Sequence, residues 1–126
     1  MSYQYFNPNP AGKNVGDCVI RAICRAFGYD WERAYLEICI QGFIMRDISA
    51  SDSVWGAYLR NHGYKQEIAN PCPDCYTLED FAEEHPNGTY VVKTDNHVTA
   101  VVNGVYYDSW DSGNKVVIYY YQKQED

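Results

Sequence analysis

Asn103-Gly104 restricts the fold of this chain more than any other pair of residues. It lies between two β-branched and aromatic runs, HVTAVV (97–102) and VYYDSW (105–110). A two-residue type I′ turn needs positive φ at both central positions, which Asn-Gly supplies, so the segment predicts a tight β-hairpin. The register then follows by counting outward. Val102 faces Val105, Ala100 faces Tyr107, Thr99 faces Asp108 and His97 faces Trp110. Because side chains alternate between faces, His97, Thr99, Tyr106, Asp108 and Trp110 are expected on one face. His97 and Asp108 become diagonal neighbours, roughly 7–8 Å apart at the backbone, a gap their side chains can bridge.

Two further runs, GTYVVKTD (88–95) and VVIYYYQK (116–123), have the same strand character, and Tyr64–Ile68 reads as a short strand. The first half of the chain is different. Residues 1–16, rich in Asn, Pro and Gly, read as an extended lead-in loop. DCVIRAICRAFG (17–28) carries an apolar stripe at helical spacing, formed by Val19, Ile20, Ala22, Ile23, Ala26 and Phe27. Arg21 and Arg25 fall on the opposite side; Asp17 is placed to cap the helix and Gly28 to end it. Further helices are predicted over about 31–41 and 53–61, and a fourth opens at the capping-box-like TLED (77–80) and stops at Pro86. Helices followed by strands predict an α+β domain, with the helices on one side of a C-terminal antiparallel sheet.

The bulk properties exclude several classes. The chain has 126 residues, 46% of them hydrophobic and 21% charged, which suits one globular domain with a real core. The formal net charge is −7, with no Lys/Arg run and no phosphate-binding glycine loop, so nucleic acid is not an expected partner. No stretch is long enough to span a membrane. Five cysteines leave an odd thiol, and no apolar signal segment opens the sequence; both features predict a reducing, cytoplasmic location. The sequence does not fix an oligomeric state.

The chemistry-bearing residues converge on the hairpin. A carboxylate at Asp108 that accepts from one ring nitrogen of His97 would orient the other nitrogen outward as a base. Trp110, opposite His97, is placed to shield the pair. Cys18 stands in the first turn of the first helix, where backbone N–H groups and the helix dipole lower a thiol pKa and can hold an oxyanion. Cys24 and Cys39 read as buried structural thiols.

GDCVIRAI (16–23), PNGTYVV (86–92) and NHVTAVVNGVYYDSWDS (96–112) together resemble the papain-like cysteine peptidases, in particular the compact bacterial and phage members similar to bacteriocin-processing peptidases. The chain order Cys, His, Asp matches that family, and the resemblance spans residues 16 to about 121. It implies one papain-like domain over residues 1–126, Cys18 as nucleophile, His97 as general base and acid, and Asp108 as orienting residue. Family members place an oxyanion-binding side chain, usually Gln, a few residues before the nucleophile. No Gln stands there in this chain, and Asn14, the nearest amide, is the candidate for that oxyanion-binding role beside the Cys18 backbone N–H. The implied activity is thiolate attack on an amide or isopeptide carbonyl of a peptide or protein substrate. A deamidase, amidase, acyltransferase or isopeptidase would use the same step. A non-catalytic protein-binding module keeping this fold is the competing expectation.

Cys72-Pro-Asp-Cys75 is a CxxC flanked by His62 and His85. An ordinary loop is the favoured reading, with a disulfide or a two-Cys, two-His zinc site as alternatives; no metal or cofactor is expected.

Overall fold

A computed structural model describes residues 2–68 and 76–124. The elements run β1 (Tyr3–Tyr5), α1 (Cys18–Phe27), α2 (Trp31–Met45), α3 (Asp52–Asn61), β2 (Tyr64–Ile68), α4 (Leu78–Glu84), β3 (Thr89–Thr94), β4 (His97–Val102), β5 (Val105–Asp108) and β6 (Val117–Lys123). The fold is α+β.

The six strands form one sheet in the order β1-β5-β4-β3-β6-β2. Its centre is the predicted hairpin. Val102 pairs with Val105 and Ala100 with Tyr107. Asn103 and Gly104 both have positive φ, 51° and 81°, as a type I′ turn requires. The expectation of a wholly antiparallel sheet is corrected at its edge. Tyr3–Tyr5, expected as loop, form a strand that runs parallel to β5 with Tyr5 beside Asp108. The sheet is therefore mixed.

The helices are also divided between two faces rather than gathered on one. Val98 and Ala100 of β4 pack with Ile23, Ile38, Trp55 and Leu59 from α1, α2 and α3. Val101, one residue on and so on the other face, packs with Leu78 and Phe81 of α4. Each face thus receives its own apolar layer, and burying each large side chain contributes about 1.5–3 kcal/mol.

α2 runs past the expected stop at Gln41 to Met45, and Arg46 adopts the left-handed C-cap conformation at φ 58°. Gly42 sits inside the helix because the following loop crosses it closely. A Cβ at Gly42 would lie 3.0 Å from the Asp47 carbonyl oxygen and 3.1 Å from Ser49 Cα. α4 opens on the expected capping box, with Thr77 and Asp80 exchanging side-chain and backbone bonds. No helix among the described residues is long and apolar enough to cross a membrane.

Candidate active site at the start of the first helix

His97 is the first residue of β4 and Asp108 the last of β5, so the hairpin puts both at one end of the sheet. α1 begins at that end with Cys18. His97 Nε2 donates to Asp108 Oδ2 at 2.6 Å. That bond uses one ring nitrogen and leaves Nδ1 free on the side of Cys18, which lines the same groove and lies close enough to shift the titration of the imidazole. The Trp110 ring lies 4.9 Å from the His97 ring, centroid to centroid, while the indole remains 40% exposed as a partial cover.

Asp108 is fully buried and held on both oxygens. Oδ1 accepts from Arg21 Nε at 3.2 Å and from the Ser109 amide at 2.9 Å, and Arg21 Nη2 lies 3.0 Å away as an ion-pair partner. Oδ2 accepts from His97, from Thr99 Oγ1 at 3.0 Å and from Ser112 Oγ at 2.6 Å. A carboxylate in so dense a set of donors stays ionised and cannot rotate. Burial alone would raise its pKa; the bonds from His97 and Ser112 and the charges of His97 and Arg21 outweigh burial and hold it below the usual carboxylate range.

The other two groups shift in opposite directions. Burial pushes the Cys18 thiol up, but the hydrogen bond and charge of His97, the Val98 backbone and the Arg21 charge together bring it below the ordinary thiol value. Burial pushes His97 down, yet bonds to Asp108 and Cys18 and the charges of both raise it to about 9. A lowered thiol beside a raised imidazole favours a thiolate–imidazolium pair. By contrast, Cys24 is buried among apolar groups, which pushes its thiol up to about 12. Cys39, expected to be buried, is half-buried and lines the groove described below.

Arg21 corrects the sequence reading. Expected on the solvent side of α1, it is only 4% exposed and lies between two carboxylates. Its Nη1 donates to Asp17 Oδ1 at 2.8 Å while its other nitrogens hold Asp108. Asp17 occupies the N-cap position without capping through its side chain. Its second oxygen accepts instead from Trp31 Nε1 at 2.9 Å. The Asp17 charge is therefore matched by Arg21 and Trp31 rather than facing the thiol unpaired. Asp17 was expected only as a helix cap, and the roles of Arg21, Trp31 and Ser112 at the site escaped sequence reasoning. The Asp17/Arg21 i,i+4 spacing was the one signal available for any of them.

A groove of about 590 Å³ opens over Cys18 and His97, walled by Trp31, Tyr35, Cys39 and Trp55. That volume suits a small ligand or a few residues of an extended chain. Asn14 is exposed on the lead-in loop, where its Oδ1 accepts from Ser109 Oγ at 3.4 Å, and the groove lining passes through Lys13 and Val15 without it. Cys72 and Cys75 lie outside the described residues. His62 packs on Phe27 and Tyr58, beside the α1–α3 layer. His85 stacks on Phe81, on the opposite face of the sheet. The two imidazoles do not share a site, and their Nδ1 atoms bond to the carbonyls of Tyr58 and Phe81. Among the described residues no cluster of three or more His, Cys, Asp or Glu is arranged to hold a metal.

Comparison with protein-family models, curated proteins and solved structures finds no match for this chain.

Proposed function

We propose that this protein is a cysteine hydrolase of papain-like arrangement, acting by acyl transfer on an amide or isopeptide bond of a peptide or protein. One observation carries the reading: His97 bonds through one ring nitrogen to a fixed, buried carboxylate, and the thiol that opens α1 lines the same groove beside that imidazole.

In this mechanism the Cys18 thiolate attacks the carbonyl carbon of a substrate lying in the groove. The negative charge passes to the carbonyl oxygen, within reach of the first-turn N–H groups of α1, beginning with that of Cys18. Protonated His97 gives its Nδ1 proton to the leaving amine, the C–N bond breaks, and the acyl group remains on Sγ as a thioester. Water, deprotonated by His97, then attacks the thioester and restores the thiol. Asp108 keeps the imidazole oriented throughout and stabilises its charge, while Arg21 and Ser112 keep Asp108 in place.

Cys18 is half-buried at the groove rather than sealed in the core, and it lines that groove together with His97. Both features support catalysis over a non-catalytic binding module. The test is acyl transfer from an activated ester. Incubation with p-nitrophenyl acetate is expected to give a burst of nitrophenol, an acetyl adduct on Cys18 by mass spectrometry, and slow turnover of that adduct. Cys18→Ser is expected to abolish the burst. A wild-type protein that forms no adduct, or forms one without ever releasing it, would refute hydrolase activity.

A further inference from the structure

Beside the groove, α2 carries an apolar stripe left exposed among the described residues. Leu36 is 60% exposed, Ile40 56%, Phe43 74% and Ile44 65%, and Ile48 just beyond the helix is 74% exposed. These side chains contrast with Ala34, Ile38 and Gly42, the α2 residues that are buried against the rest of the fold. Together the five present about 600 Å², the upper end of what a monomer ordinarily leaves exposed in one patch.

We propose that this stripe is a self-association surface on which α2 of a second copy packs antiparallel. Two observations favour a second copy as the occupant. Leu36, Ile40 and Ile44 form an i, i+4, i+8 ridge centred on Ile40. A two-fold axis through Ile40 sets Leu36 of each copy against Ile44 of the other, the self-complementary contact an isologous dimer needs. Ridges of this spacing interdigitate at a crossing of about −50°. The area suits a weak pair, because two such stripes can bury at most about 1,200 Å², the low end of specific interfaces. Trp31, Tyr35 and Cys39 line the Cys18 groove from the adjoining flank of the helix rather than from the stripe itself.

The pairing is independent of what Cys18 does. Because each copy carries a net charge of −7, the measurement belongs at about 0.15 M salt, where the screening length is about 8 Å. Sedimentation velocity up to about 200 µM, a range in which weak pairs become populated, is expected to show the average mass rising from 14.5 kDa toward twice that value. Phe43→Asp and, separately, Ile40→Asp are expected to hold the mass at the monomer value with an unchanged far-UV circular dichroism spectrum. Ile118→Asp, at an exposed position of β6, is expected to leave the dimer intact. A wild-type protein that stays monomeric over the whole range would overturn the proposal and assign the stripe to a different protein. So would a dimer that survives both α2 substitutions, or one that Ile118→Asp abolishes.

Discussion

Arg21 and Asp108 lie 87 residues apart in the chain, yet Arg21 Nε donates to Asp108 Oδ1 at 3.2 Å and Nη2 stands in ion-pair contact with the same oxygen at 3.0 Å. The same guanidinium holds Asp17 one turn back along α1. One buried cation therefore ties the helix that carries Cys18 to the strand that carries the partner of His97. Each carboxylate would otherwise be a buried charge of considerable cost.

Removing Arg21 is expected to destabilise the protein strongly. Arg21→Met leaves Asp17 and Asp108 buried without their cation, a loss of about 3–5 kcal/mol and roughly 10–20 °C in melting temperature for a domain of this size. Arg21→Lys is expected to recover only part of this, because an ammonium cannot span two carboxylates as the planar fork does. Thermal melts of the three proteins check the order. An Arg21→Met protein as stable as the wild type would show that the bridge contributes nothing.

Asp108→Asn is expected to weaken the thiolate. An amide offers two donors of its own to a position surrounded by donors from Arg21, His97, Thr99 and Ser112. Losing the carboxylate charge lowers the affinity of His97 for its second proton, which in turn removes the cation that favours the Cys18 thiolate. The Cys18 titration midpoint, read from thiolate absorbance at 240 nm, is expected to rise by about one unit or more, equivalent to about 1.4 kcal/mol.

The pH dependence of stability should show an acid limb. Asp108 has a folded-state pKa below its ordinary value, so its contribution is fully present above the unfolded-state value and is lost as pH falls through the folded one. On the alkaline side two contributions oppose each other. Raised His97 loses its stabilisation as pH climbs from the unfolded value through about 9, whereas lowered Cys18 gains stabilisation over an overlapping range. Melting temperatures are therefore expected to fall below about pH 4, near the unfolded-state carboxylate pKa, and to change little between neutrality and pH 9. The acid decline should be shallower in Asp108→Ala, whatever that variant loses overall.

The elements that could be read from the sequence are those fixed by local chemistry. Asn103-Gly104 set the hairpin register, which brought His97 and Asp108 to one end of the sheet. Thr77 and Asp80 marked the start of α4, and Gly28 takes the left-handed conformation that ends α1. What could not be read depends on distant partners. β1 is three residues long and exists because it pairs with β5, about a hundred residues away. Arg21 looked solvent-facing on a helical wheel, which records the apolar stripe of α1 but not a carboxylate arriving from β5. Gly42 resembled a helix end because its tight contact with Asp47 and Ser49 is made by the loop that follows. The division of helices between two sheet faces was hidden for a similar reason: alternation along β3 and β4 shows that both faces are apolar, but not which helix covers each.

The most direct test of thiolate chemistry at Cys18 is the pH dependence of iodoacetamide labelling, with each modified cysteine located by mass spectrometry. Cys18 is expected to react first among the five cysteines, with a midpoint below that of an ordinary thiol, and to react more slowly with an upward-shifted midpoint in His97→Ala. Labelling of Cys18 at the same rate and with the same pH dependence as the other accessible thiols, unchanged by His97→Ala, would contradict it.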